Sequence, residues 1–276
     1  MGQVVHTLPE GEPVVGVTSL ADEIYLFRVK VCDQVEVYDV IAYRLQRCLT
    51  LPNRPLFLFI DMTSCEHYRC LYIDDYLGFC VRRLDVGLQG AATRWPVNDK
   101  PSCLSVNAAH NLLVACPEVR KIKEFSSHGD LLRELILPDD LIHPQHAIQL
   151  TSGQYIVCHG RCSDAVQRVC KINAEGHIVQ SHGGQPGSGT DQYLAPHHLA
   201  VGDELVYAAD MYNQRLTLLS PTLGYVRQEL SRDELRGYPW SLHLDVQRRR
   251  LYVANNERNF GDWTTGRVSV LSVMEK

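Results

Sequence analysis

Along this chain apolar residues come in short runs of about five, broken by turn residues, and runs with a 3.6-residue helical period are hard to find. The runs are rich in Val, Ile, Leu and Tyr, which suit a pleated, half-buried surface. They recur with a long period. Pro13, Pro55, Pro101, Pro144, Pro196 and Pro239 each open a similar short strand: PVVGVT, PLFLFI, PSCLSV, PQHAIQ, PHHLAV and PWSLHL. The spacing of roughly 40 to 50 residues is that of a four-stranded propeller blade. Proline suits the first residue of a strand, which need not donate to the ladder.

A second strand follows each opening, as EIYLFR, RCLYIDD, NLLVAC, QYIVCH, LVYAAD and RLYVANN, and then a third, as QVEVYDV, FCVRRLD, RKIKEFS, VQRVCKI, QRLTLLS and RVSVLSV. Fourth strands read YRLQRCL, DLLRELIL, GHIVQSHG and YVRQEL, with that of the second blade near 91–97. The sixth repeat ends after its third strand, and an open edge would leave unpaired backbone groups. The stretch Gly2 to Leu8 (GQVVHTL) supplies the missing outer strand. The pattern therefore predicts an all-β, six-bladed propeller of four-stranded antiparallel blades, a single domain over residues 1–276. Its blades fall near 13–53, 54–97, 98–143, 144–190, 191–236 and 237–276, the last completed by residues 2–8.

One repeat carries a family resemblance. DQYLAPHHLAVGDELVYAADMYNQRLTLLS resembles an NHL repeat through Pro196, Ala200, Val201, Tyr207, Ala208, Ala209, Asp210, Asn213 and Arg215. PWSLHLDVQRRRLYVANNERN repeats it more loosely, with Asn255 in the Asp position. The likeness is to NHL domains of animal TRIM-type proteins, but no RING, B-box or coiled coil is present, so ligase activity does not carry over. GGQPGSG, Gly183 to Gly189, lacks the Gly-Lys-Ser/Thr ending of a phosphate loop and reads as the linker between blades.

Composition narrows the classes. Hydrophobic residues make up 45% and charged residues 21%, ordinary for a soluble globular chain. The net charge of −5 works against a broad phosphate-binding face, which lowers RNA binding as an expectation. Arg248–Arg249–Arg250 reads as a solvated turn. The N-terminus has no secretory pattern and no apolar run is long enough to span a bilayer, so a cytoplasmic, membrane-free monomer is expected. The ten cysteines are then expected as free thiols. Cys65, His67 and Cys70 look like part of a zinc cluster but lack a second ligand pair, so this segment reads as a hairpin loop.

Propeller topology aims the side chains. The second residue after each proline (Val15, Phe57, Cys103, His146, His198, Ser241) and the end of each second strand (Arg28, Asp75, Cys116, His159, Asp210, Asn255) should ring one mouth of the central channel. Blades three to five thereby bring cysteines, histidines and an aspartate towards one rim. Three roles compete there. Polar residues at strand ends can hold loops by hydrogen bonds. Cys103, His146 and His198 can present three ligands to zinc and leave a position for water, giving a metal-dependent hydrolase or lyase, since six-bladed amidating lyases and lactonase-like hydrolases bind metals in this channel. Or the face binds a protein, with His197, Trp240, Tyr212 and Arg28 as exposed contacts. A small molecule or, for an NHL domain, RNA are further ligands. No Gly-x-Ser-x-Gly or His-Glu-x-x-His motif occurs. The sequence favours a non-enzymatic binding scaffold with a protein partner and no catalytic residues.

Overall fold

The computed structural model describes residues 3–29, 34–51, 61–87, 92–202, 205–259 and 262–273. They form six four-stranded antiparallel sheets. Blade 1 is β2 (Val14–Leu20), β3 (Glu23–Arg28), β4 (Gln34–Asp39) and β5 (Leu45–Thr50); blade 2 is β6 (Met62–Cys65), β7 (Cys70–Asp75), β8 (Cys80–Asp85) and β9 (Ala92–Pro96). Blade 3 is β10 (Leu104–Val106), β11 (Leu112–Cys116), β12 (Lys121–Phe125) and β13 (Leu131–Ile136). Blade 4 is β14 (Pro144–Gln149), β15 (Tyr155–His159), β16 (Gln167–Ile172) and β17 (Ile178–Gly184). Blade 5 is β18 (Pro196–Val201), β19 (Val206–Asp210), β20 (Arg215–Leu219) and β21 (Tyr225–Leu230). Blade 6 is β22 (Tyr238–Asp245), β23 (Arg250–Asn259) and β24 (Asp262–Ser272), completed on the outside by β1 (Gln3–Thr7). The innermost strands touch in a closed ring, β2–β6–β10–β14–β18–β22 and back to β2. The chain is a six-bladed β-propeller.

Burial explains the strand sequences. β3, β7, β11, β15 and β19 are buried almost throughout because each is flanked by neighbouring blades, so they are continuous apolar runs rather than alternating ones. The fourth strands β5 and β13 are largely exposed. Apolar side chains collect between adjacent blades: Tyr72, Val81 and Trp95 meet Leu104, Leu112 and Phe125 between blades 2 and 3, and Ile24 and Leu26 meet Tyr252 and Val268 across the closing seam.

Closure follows the expected scheme: β1 pairs with β24, Gln3 opposite Ser272 and Thr7 opposite Ser269. Arg28 locks the seam. Its guanidinium donates to the carbonyls of Pro9, Glu12 and Gly266 and pairs with Glu36 at 2.8 Å. Asn256 adds a two-way bond to the backbone of Val14, accepting from its N–H and donating to its C=O, both at 2.7 Å.

The second blade departs from the sequence expectation. The strand read at 55–60, with Phe57, lies outside the described residues, and the strand that pairs with β7 is Met62–Cys65. Cys65 and Cys70 are register partners at the base of a tight hairpin, as the hairpin reading of that segment has it. No helix among the described residues is long and apolar enough to cross a membrane.

Candidate functional site

Four of the innermost strands carry the same irregularity. The register slips between Val14 and Gly16, Pro144 and His146, Pro196 and His198, and Pro239 and Ser241. Such a bulge leaves one residue unpaired and re-aims the side chains around it. In blade 3 the same step occurs at Ser102, since Ala115 accepts from Ser102 N–H and donates to Cys103 C=O. Two columns result. The bulge residues are Val15, Ser102, Gln145, His197 and Trp240. The residues after them are Gly16, Cys103, His146, His198 and Ser241, joined in blade 2 by Asp61, whose C=O accepts from Asp74 N–H.

The second column belts the channel. Asp61 Oδ2 accepts from Leu104 N–H of blade 3 at 2.9 Å, and His146 Nδ1 from Leu199 N–H of blade 5 at 3.1 Å. His198 Nδ1 meets Leu242 N–H of blade 6 at 3.3 Å, and Ser241 Oγ meets Val17 N–H of blade 1 at 3.4 Å. Four side chains thus bind the backbone of the next blade at the same level. Gly16 has no side chain to do so, and needs none: a Cβ there would lie 2.7 Å from Met62 Cβ and 2.9 Å from Met62 N. Of the expected ring, Cys103, His146, His198 and Ser241 hold their places, Gly16 stands where Val15 was expected, and Asp61 represents blade 2, where the expected Phe57 lies outside the described residues. Blade 1 shifts because its proline stands one residue further from the bulge.

Chemistry in the belt is committed. His146 Nε2 donates to Leu104 C=O at 3.1 Å while Nδ1 accepts, so the ring is neutral with both nitrogens used. Burial, reinforced by His198, holds it well below the ordinary imidazole range. His198 stacks on it, Nε2 facing Asp61 Oδ2 at 3.3 Å. Burial works to raise the Asp61 carboxyl, but His198 and the Leu104 amide hold it below its usual value. Beside it Asp74 is pushed well up by burial and by Asp61, and its Oδ2 has no hydrogen-bond partner. Asp61, His146 and His198 bring ligand atoms within 4.8 Å of one another, so the metal-like trio contains Asp61 in place of Cys103. Cys103 is buried and its thiol is pushed well above its ordinary range by that burial.

The second-strand column faces its own turns. Asp75 accepts from Gly78 N–H and pairs with Arg82; Asp210 accepts from Leu194 N–H, Asn213 and Arg215. His159 donates from Nδ1 to Ile142 C=O and accepts from Arg168, and burial lowers it to about 4. Asn255 donates to Ser269, and Cys116 is fully buried. Asp75, Asp210 and His159 thereby hold loop backbone, whereas Asn255 binds across to β24. Arg28 and Trp240, expected exposed, are 4% and 5% exposed: one locks the seam and the other packs with Val15 and Met211.

In the bulge column Val15, Ser102, Gln145 and Trp240 are buried and His197 is half-buried. A cleft of about 280 Å³ opens there, lined by Ser102, Gln145 and His197 together with Tyr76, Met211 and Tyr212. His197 donates from Nδ1 to Trp240 C=O at 2.9 Å and its ring tilts over Trp240, 4.4 Å between centroids. Beside the cleft the β23–β24 hairpin runs on past Asn255 to Asn259, longer than any other hairpin described. Trp263 on it meets Trp240 and Tyr238 edge-on, each at 5.4 Å; Arg258 lies 5.6 Å over Trp263, and Tyr238 meets Tyr212 at 5.8 Å. Sequence reading missed this hairpin because NERNFGDWTTGR reads as a long loop, although the Trp and the Gly–Asp turn were visible.

No family model and no curated protein matches the chain. Among solved structures it is similar to the PQQ-bound aldose sugar dehydrogenase of Streptomyces coelicolor, at 12% identity over 98% of each chain with a TM-score of 0.71. It is also similar to virginiamycin B lyase of Staphylococcus aureus, at 9% identity over 96% of this chain and 99% of that one with a TM-score of 0.62. The Swd1 β-propeller domain of Myceliophteria thermophila matches at 13% identity over 99% of this chain and 100% of that one, TM-score 0.63. Identities this low show the fold, which enzymes and other propellers share.

Proposed function

We propose that this propeller is a non-enzymatic binding module of NHL type that presents its proline-side mouth to a protein partner. The observation that carries this reading is the aromatic platform beside the cleft, where Trp263 and Arg258 of the elongated blade-6 hairpin meet Tyr238 of β22 and, through it, Tyr212 of blade 5. Aromatic and Arg side chains are enriched where protein surfaces bind tightly. The belt beneath supports binding over catalysis, because its imidazoles hold backbone groups rather than a substrate. The Asp210–Asn213–Arg215 bonds supply the loop clasp expected of the NHL-like repeat. Free thiols at the nine described cysteines suit a reducing compartment such as the cytoplasm.

A photo-crosslinking residue at Tyr212 should give discrete protein conjugates in cells, and Trp263→Ala should remove them. Val246, in the turn at the opposite end of blade 6, serves as the control. Equal conjugates from both positions, or conjugates to RNA, would overturn the reading. A second reading, a metal-dependent hydrolase or lyase, is favoured by the Asp61–His146–His198 trio. It requires both imidazoles to give up their backbone partners. Stoichiometric zinc in purified protein, lost in His198→Ala, would establish it.

A further inference from the structure

The cleft at the mouth has a chemical bias of its own. Ser102, Gln145 and His197 come from the bulges of three successive blades and line the same space. His197 spends its one N–H on Trp240 C=O, which leaves Nε2 as an acceptor. Gln145 gives one of its two Nε2 N–H groups to His143 C=O at 3.0 Å, which fixes the amide and leaves Oε1 as an acceptor. Tyr76, Met211 and Tyr212 line the same cleft, flat or polarisable surfaces that favour an aromatic ring. Among the described residues no carboxylate lines the cleft, and the cation there, Arg161, is paired with Glu118 at 2.8 Å. The volume of about 280 Å³ is at the low end for ligand pockets, which run from about 300 to 1,000 Å³.

We propose that this cleft binds an uncharged aromatic ring bearing a single hydrogen-bond donor, an indole or a phenol, with the donor directed at His197 and Gln145. The ring slots between Tyr212 and Met211, and its N–H or O–H meets the acceptor end. A carboxylate placed against His197 Nε2 and Gln145 Oε1 would meet acceptors rather than donors, and a plain hydrocarbon ring would leave both unpaired. The inference deepens the binding reading above by giving the anchor its chemistry. Its source is either a Trp or Tyr side chain of a partner or a free small molecule.

Indole, toluene and benzoate are titrated against the whole protein and followed by NMR, beside the peptide acetyl-Gly-Trp-Gly-amide. Indole should bind at least tenfold more tightly than toluene or benzoate. His197→Phe and Gln145→Leu should each weaken indole about tenfold and narrow its lead over toluene. Peptide binding at least as tight as indole identifies a partner side chain, and binding of indole alone identifies a free ligand. An independent readout needs no variant: Cys162 is exposed and lines the cleft, whereas Cys48 is exposed on β5. Indole should slow alkylation of Cys162 and leave Cys48 unchanged, read peptide by peptide. Equal affinities for the three rings, or no protection of Cys162, overturn the proposal. If Tyr212 still crosslinks to a protein then, only the aromatic cleft falls; if indole binds and no protein is captured, the cleft stands and the protein partner falls.

Discussion

The imidazole of His146 lies face to face with that of His198, ring centroids 3.9 Å apart and planes 24° from parallel. Their stacking follows from equivalent positions on adjacent innermost strands. His146→Ala should therefore destabilise the fold by about 2–4 kcal/mol, because Leu199 N–H and Leu104 C=O both lose a buried partner. Urea unfolding measures it; a loss below about 0.5 kcal/mol would show that the belt is dispensable.

Acid should weaken the protein through its buried imidazoles. Burial lowers His159, His197 and His243 to about 4 and holds His146 well below the ordinary imidazole range. Above pH of about 6.5 neither the folded nor the unfolded chain binds these protons, and the stability is fully present. As pH falls from there towards 4 the unfolded chain takes up protons that the fold refuses, so stability drops. The slope is about 1.4 kcal/mol per pH unit for each proton that fully differs. Asp74, held well up by burial, and Asp210, raised to about 6, act in the opposite sense, two groups against four. Unfolding midpoints should fall from pH 7 to pH 5, and a flat profile would mean that the rings are charged in the fold.

The seam depends on Arg28. Arg28→Met keeps most of the side-chain volume but strands three carbonyls and Glu36. Melting should drop by several degrees, as it should on deletion of residues 1–9, which removes β1. Combining the two should cost less than their sum, since both open the same edge. Full additivity would separate Arg28 from closure.

Gly16 marks the closest approach of blades 1 and 2. Gly16→Ala should cost about 1–3 kcal/mol through its contact with Met62, whereas Gly153→Ala is strained only by its own positive φ, with nothing near its Cβ. A neutral Gly16→Ala would mean that the two strands slide apart freely.

Thiol reactivity tests the burial pattern. In a Cys32→Ser background, the native protein should react rapidly at Cys48 and Cys162 only, and at the seven remaining described cysteines after denaturation. Rapid native labelling of Cys103 or Cys158 would contradict a closed channel wall.

The sequence by itself determined the propeller, its six repeats and the closing strand, because the proline-led period and the lone strand GQVVHTL are local signals that a closed sheet must obey. It also placed Cys103, His146, His198 and Ser241 on one ring, since equal spacing from proline gives equal height along the channel. It could not place Gly16, because Pro13 stands one residue further from its bulge than the later prolines do, nor Asp61, because the strand that pairs with β7 is Met62–Cys65 and no proline marks its start. Nor could it tell Trp240 and Arg28 from exposed contacts, or join Trp263 to Tyr238, Trp240 and Tyr212. Those are meetings between blades and across a hairpin. Only the packed ring of blades decided which polar groups spend themselves on a neighbouring backbone and which, like His197 Nε2, still face open space.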